Sequence, residues 1–357
     1  MLSDLVELTE KQINELNVLG HLKNKNKNDL LNKFLENNKM SIDSDILSDF
    51  KFIDLFCGVG GLSLPFYKSG AKCVFACDVD KYARKTYFRN YNLMPFGDIR
   101  AVDTSKLPSF DIIFAGFPCQ PYSSGGGRLG LKDDRGSVVN ELFRIINDTK
   151  PKYLILENVK NIASVNGGND LKYILGKLDE LNYDVNLDLI NSNDNGSIQS
   201  RERVFFFCSR KDLKISGFKF LNGSKKNKRE LSEILEVDYD EKYIVSEKMK
   251  LFFKSHKENS LKKGNGFGYC LFNGNETKVS TLTSRYYKDG KEIIINIGNG
   301  GMRKLTPSEA FKLQNFPDDF KMDVVSDTQL YKQAGNSVDQ LSANVVLNSF
   351  IRFILKK

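Results

Sequence analysis

Tryptophan is absent from this 357-residue chain, and histidine occurs only as His21 and His256. A zinc centre would therefore have to rest on thiolates. The six cysteines, Cys57, Cys73, Cys77, Cys119, Cys208 and Cys270, repeat no pair spacing that would supply one, so no metal is expected. A chain of this length buries a sizeable core without disulfide staples, and its free thiols point to a reducing cytosol. Cys73 and Cys77 bracket an apolar, strand-like run and read as core. No apolar run approaches the ~20 residues needed to span a bilayer. Met1 to Glu10 carries Asp4, Glu7 and Glu10, unlike a signal peptide. The expectation is a soluble, cytoplasmic protein with no membrane partner.

Positive charge is in surplus, with 53 Lys and Arg against 45 Asp and Glu. From Lys211 to Gly300 there are 18 basic and 12 acidic residues, so this quarter of the chain carries +6 of the net +8. Such a segment can neutralise phosphates and release counterions. A solvated lysine-rich surface is the alternative.

Three textures divide the chain. Residues 1–50 hold leucines at helical spacing, as in Leu5, Leu8, Ile13, Leu16 and Leu19, and predict two short helices in a packed N-terminal extension. From 51 to 210, apolar strands alternate with amphipathic helices, the pattern of a doubly wound α/β sheet. Strands are predicted at 51–56, 72–77, 111–115, 153–157, 183–191 and 204–209, with helices at 61–69, 81–90, 137–149 and 171–181. Residues 211–302 break into polar, glycine-rich pieces that suggest a smaller, irregular β-rich domain. Order returns over 303–357, with a capping box at Thr306 and Glu309 and a last helix near 340–355 that packs back on the first sheet.

The first strand runs into Phe56-Cys57-Gly58-Val59-Gly60-Gly61, a glycine turn that lets backbone approach a ligand. Its spacing is neither the dinucleotide fingerprint nor a phosphate-binding P-loop. About 20 residues on, Asp78 ends the second strand, where a carboxylate can accept from ribose hydroxyls. Asp98 offers a second acid suited to an adenine amino group. Asp80 and Asp98 also read as helix caps. A nucleoside cofactor without a phosphate cradle fits S-adenosylmethionine better than a dinucleotide.

Cys119 follows Phe117-Pro118 at the exit of a buried strand, the edge where open α/β sheets bind ligands. It reads equally as a reactive thiol or a small buried residue. Glu157 closes another buried strand, where burial would raise its pKa, or it caps the turn that follows. Arg201 and Arg203 share one face of an extended segment and could reach one pocket; an ion pair with Glu202 is the ordinary alternative. Thr281-Leu282-Thr283-Ser284-Arg285-Tyr286-Tyr287-Lys288 mixes donors and rings, as a DNA contact or as a packed aromatic hairpin.

Phe52-Ile53-Asp54-Leu55-Phe56-Cys57-Gly58-Val59-Gly60-Gly61, Gly116-Phe117-Pro118-Cys119-Gln120, Glu157-Asn158-Val159, Gln199-Ser200-Arg201-Glu202-Arg203, Arg303-Lys304-Leu305-Thr306-Pro307 and Ala334-Gly335-Asn336-Ser337-Val338 occur in this order. Together, over about 51 to 350, they resemble the motif series of the bacterial cytosine-5 DNA methyltransferases. The resemblance implies a mixed sheet of the S-adenosylmethionine-dependent, Rossmann-like type. It divides the chain into an extension (1–50), a catalytic and cofactor-binding domain (51–210), a target-recognition domain (211–302) and a segment returning to the catalytic domain (303–357).

It further implies a covalent route. A thiolate from Cys119 adds to carbon 6 of a flipped cytosine, so that carbon 5 can attack the methyl donor. Glu157 would engage the cytosine edge and Arg203 its carbonyl, with Arg201 beside it as a fourth catalytic residue. Phe56, Gly58, Gly60, Asp78, Asp98, Pro118 and Asn336 match cofactor positions; Asp78 is shorter than the glutamate often found there. Gln120, Ser123, Arg285 and Tyr286 are the expected DNA contacts. Glycines and serines over 122–135 would let a loop close over DNA. The expected partner of this monomeric enzyme is double-stranded DNA, beside a restriction endonuclease acting independently. An RNA methyltransferase resembling the tRNA-directed branch is the nearest alternative, although its usual Cys-Phe-Thr element is missing. A non-catalytic DNA-binding protein on the same fold is the other.

Overall fold

The structure, a computed structural model, describes residues 45–118, 134–223, 229–262, 264 and 268–355. The described residues up to Phe353 form one compact unit. The two helices expected within 1–50 lie outside the described residues, of which only the last six of that stretch are part.

Strands β1 (Lys51–Leu55), β2 (Lys72–Cys77), β3 (Ile112–Gly116), β4 (Tyr153–Val159), β5 (Tyr183–Asn191) and β6 (Glu202–Arg210) form a six-stranded sheet in the order β2-β1-β3-β4-β6-β5. The pairs β1 with β2, β1 with β3 and β3 with β4 are parallel. Strand β6 runs antiparallel between β4 and β5. Strands covered on both faces read as continuous apolar runs, and Ile112 to Ala115 and Tyr153 to Leu156 are buried throughout.

One face is covered by α3 (Asp134–Thr149) and α4 (Asn169–Glu180), whose Leu142, Ile145, Ile146, Ile174 and Leu178 join Ile53, Leu55, Ile113 and Leu154 in one core. The other takes α1 (Leu64–Lys68) and the last helix, α8 (Gln340–Leu355), whose Phe350 lies 5.3 Å from the Tyr153 ring and 5.5 Å from Phe66 between centroids. Helix α1 is shorter than the spacing predicts because Pro65 fits only in a first turn, which delays the start to Leu64. Helix α2 (Lys81–Tyr91) is capped by Asp80, which accepts from the Tyr82 and Ala83 amides.

Residues 211–302 carry little regular structure: helix α5 (Glu247–Lys262) and the strands β7 (Leu271–Phe272) and β8 (Ile294–Asn296), joined by β9 (Met302–Lys304) into a small sheet. Helix α6 (Pro307–Leu313) begins at the expected capping box, with Thr306 and Glu309 each accepting the other's backbone amide. Helix α7 (Asp327–Asn336) follows. Among the described residues no helix is long and apolar enough to cross a membrane.

Candidate active site

The register of the sheet aligns the expected site. Cys77, Leu55, Ala115 and Leu156 lie in one row across β2, β1, β3 and β4. One residue further towards the carboxyl ends stand Asp78, Phe56, Gly116 and Glu157, at or just past the strand ends and up to 101 residues apart in sequence. With strands ~4.8 Å apart, Asp78 and Glu157 are separated by about 14 Å. Two acids at opposite ends of one edge can serve two different ligands.

At the Asp78 end the backbone turns sharply, with positive φ at Phe56 (54°), Gly58 (53°) and Gly60 (79°). For a phenylalanine that region is strained, and such strain gathers at ligand sites. The Gly58 amide donates to Asp78 Oδ2 at 2.8 Å and the Asp80 amide to Oδ1 at 2.7 Å, so the carboxylate ties the glycine loop to β2. Burial nevertheless raises its pKa above the usual carboxylate value.

Below the loop, Tyr91 donates to Val59 O at 3.2 Å, and its ring fills the space that a Cβ on Gly60 would need. Ser63 donates to Asp54 Oδ2 at 2.5 Å. Asp54 is buried, and desolvation, aided by the charge of Asp78, pushes its pKa up to about 8. These supports were not singled out from the sequence. Asp54 sits within an apolar strand, and the hydroxyl of Tyr91 acts across 32 positions.

The residues present fit a nucleoside cofactor that touches backbone. A Cβ on Gly58 would meet nothing within 4 Å, which marks open room beside the loop. Asn336 is exposed at the end of α7, and the buried Ser337 Oγ next to it has no hydrogen-bond partner among the described residues. Gly61 lies against that hydroxyl, and Gln340 donates to Gly61 O at 2.8 Å, so the 335–337 turn abuts the glycine loop. Pro118 is exposed at the exit of β3. Asp98 takes the capping arrangement: it accepts the Arg100 amide and pairs with the Arg100 guanidinium at 2.6 Å, which holds its pKa below the usual range.

At the other end, Glu157 Oε1 lies 3.0 Å from Arg203 Nε, with the two side chains 13% and 16% exposed. The pairing of β4 with β6 places Val159 opposite Arg203 and Glu157 opposite Phe205, so acid and base are diagonal neighbours on one face. Burial raises the Glu157 pKa, opposed by Arg203 and more weakly by Arg201. Asn158 donates to Phe117 O at 3.0 Å and pins the chain as it leaves β3.

Arg201 does not share the pocket of Arg203. Its side chain is buried, with Nη1 donating to Leu282 O at 2.9 Å and Nη2 to Gly335 O and Ser337 O, both at 2.8 Å. Three backbone carbonyls take the donors that the shared-face reading would have offered to a substrate. Tyr286 is corrected as well: it is fully buried, donates to Ile293 O at 2.7 Å and accepts the Leu305 amide. Its hydroxyl is satisfied by backbone 7 and 19 residues away, the packed alternative for that segment. Arg285, next to it, is exposed. Cys119, Gln120 and Ser123, with the 122–133 part of the closing loop, lie outside the described residues; Asp134 already belongs to α3.

Comparison with known proteins bears on this geometry. Residues 50–352 match the model of a family described as C-5 cytosine-specific DNA methylase. The chain belongs to that family. Among the curated relatives of this methylase, the Type II methyltransferase M.DsaV of Dactylococcopsis salina is 38% identical over 305 residues, 85% of this chain and 86% of the relative. The Type II methyltransferase M1.ScrFI of Lactococcus lactis subsp. cremoris is 40% identical over 310 residues, 86% of this chain and 79% of the relative. In fold the methylase is similar to the Entamoeba histolytica methyltransferase EhMeth, with a TM-score of 0.71 at 21% identity, covering 85% of this chain and 98% of that one. The methylase is thus an enzyme of the DNA cytosine-5-methyltransferase type, on a mixed α/β fold shared with methyltransferases.

Proposed function

We propose that this methylase transfers a methyl group from S-adenosylmethionine to carbon 5 of a cytosine flipped out of a specific double-stranded DNA sequence, through a covalent bond from Cys119 to carbon 6. The observation that carries the reading is the largely buried Glu157 and Arg203 pair beside Gly116, three residues before Cys119 and on the same sheet edge as the glycine loop. The names of the relatives, Type II methyltransferases, support a place beside a restriction endonuclease that acts independently. The enzyme would act as a monomer in the cytoplasm, at the nucleoid.

Phe56, Gly58, Gly60, Asp78, Asp98, Pro118 and Asn336 would hold the cofactor, with Gly58 giving it room and Asp78 facing the ribose. When bound, S-adenosylmethionine supplies an electrophilic methyl carbon on a sulfonium. The Cys119 thiolate would form the sulfur bond to carbon 6, and the ring electrons would move to carbon 5, which takes the methyl group as the donor's carbon–sulfur bond breaks and its electron pair stays on sulfur as a neutral thioether. Glu157, its proton affinity raised by burial, holds a proton at ring nitrogen 3 and stabilises the charge that addition would build there. Arg203 steadies Glu157 and can donate to the ring carbonyl. Loss of the carbon 5 proton and expulsion of the thiolate restore the ring. Gln120, Ser123 and Arg285 would meet DNA, with 211–302 as the recognition region.

Purified protein, labelled S-adenosylmethionine, mixed DNA and tRNA test the reading, with Cys119→Ala as control. Label is expected on DNA cytosine with wild type alone; label on adenine or on tRNA would overturn it. Sequencing the methylated positions identifies the site. DNA with 5-fluorocytosine at that site is expected to trap a covalent adduct, because carbon 5 then carries fluorine, which cannot leave as the proton does.

A further inference from the structure

Arg201 draws together three parts of the chain that the proposed reaction uses separately. Its backbone amide donates to Ser192 Oγ at 3.1 Å, which fixes the approach to β6. Its guanidinium holds Leu282 O, within the 281–288 segment that exposes Thr283, Arg285 and Lys288, and Gly335 O and Ser337 O, on both sides of Asn336. Those two elements are also in direct backbone contact: a Cβ on Gly335 would lie 2.3 Å from Thr283 C and O and 2.4 Å from Ser284 N. Gln199 repeats the tie from the same strand approach, accepting the Leu282 amide at 2.8 Å and donating to Gln314, which in turn donates to Ala334 O. The 335–337 turn then abuts Gly61 of the glycine loop.

We infer that Arg201 is a positioning residue that couples the cofactor turn to the recognition segment, so that ligand at either one favours the ordered form of the other. This rests on the reading that the glycine loop takes the cofactor and that 281–288 meets DNA. The chemistry suits a coupling element. One planar guanidinium fixes the relative positions of three carbonyls, whereas a lysine ammonium is a point donor on a flexible stem that does not reproduce the fork. A shift of the 335–337 turn therefore moves Leu282, and the reverse, because none of the three carbonyls can leave without unpairing a donor of the buried guanidinium. Arg203, two residues on, is not part of this tie; its guanidinium serves Glu157.

The test uses the full chain and two probes, S-adenosylhomocysteine and a labelled duplex carrying the methylated site. The affinity for S-adenosylhomocysteine is measured with and without saturating duplex, for wild type and Arg201→Lys. Wild type is expected to bind it roughly 5- to 50-fold more tightly on DNA, within the usual range of coupling between sites. Arg201→Lys should bring that ratio near 1. A variant with a lower melting temperature and weaker binding of both probes, but an unchanged ratio, would overturn the inference, since that is what a purely structural arginine gives.

Hydrogen exchange on wild type guards against a variant that does not fold. S-adenosylhomocysteine alone should slow exchange in 56–62 and also in 279–288, where no cofactor contact is proposed. Protection confined to 56–62 would overturn the coupling and leave the cofactor reading standing. No protection at 56–62 would instead mean that the cofactor reading itself has failed.

Discussion

Arg203 Nε sits 3.0 Å from Glu157 Oε1 inside a largely buried edge of the sheet, and that contact opposes the burial that raises the pKa of the only acid at this end of the described row. Replacing Glu157 by Gln keeps an oxygen that can accept from Arg203 but removes the titrating proton. Turnover should fall by about 10²- to 10⁴-fold, the range that general acid–base groups contribute. The melting temperature should change little. A fall in melting temperature that matches the lost activity would mean that Glu157 acts only by holding β4 to β6.

Removing the other partner has a different consequence. Arg203→Ala leaves Glu157 buried without its counter-ion, and breaking such a pair costs about 3–5 kcal/mol. Desolvation then acts unopposed except by Arg201, so the carboxyl pKa should rise further. Urea unfolding of the single variants and of Arg203→Ala with Glu157→Gln checks this: the double variant should recover stability relative to Arg203→Ala.

Two glycines at the site should respond differently to alanine. At Gly335 the added methyl would meet the backbone of Thr283 and Ser284, which cannot step aside like a side chain. Overpacking of this kind costs about 1–3 kcal/mol, so Gly335→Ala should unfold at lower urea. At Gly58 the methyl meets open space, and the penalty is the left-handed backbone, about 1–2 kcal/mol. Gly58→Ala should instead weaken cofactor binding, raising its KM about tenfold or more while folding persists. Unchanged KM in Gly58→Ala would remove the claim that the open room belongs to the cofactor.

Strands β1 to β4 were legible because each is a short apolar run with glycine, proline or an acid at or just after its end, and that punctuation fixes both the strand and its exit. The positions of Asp78 and Glu157 at the edge follow from the same signal. Pairwise roles were less legible. Arg201 and Arg203 have the same parity along the chain, yet one meets a carboxylate on the neighbouring strand and the other meets carbonyls 81 to 136 residues away. Alternation predicts a face and says nothing of what covers it. Tyr286 was unreadable for the same reason, its burial depending on the partners at Ile293, Leu305 and Tyr331. Asp98 could be read both ways because a cap and a ligand acid have the same sequence signature.

Asp54 offers a test through pH. Its side chain is buried under the glycine loop with Ser63 as its hydrogen-bond donor, and its pKa stands near 8 against 3.8 for an ordinary aspartate. Between these values the folded protein binds a proton at Asp54 that the unfolded chain has released. Stability must therefore fall as pH rises from about 4 to 8, by up to about 1.4 kcal/mol per pH unit from this group. Asp78, also raised, and Asp339, raised to about 6, push in the same direction, so the wild-type slope alone does not isolate Asp54. Asp54→Asn does, because asparagine keeps an acceptor for Ser63 and cannot ionise. Urea midpoints of wild type and Asp54→Asn at pH 5 and pH 8 should diverge, with the variant gaining on wild type at the higher pH. Parallel curves would mean that Asp54 is already ionised at pH 5 and that solvent reaches it beneath the loop.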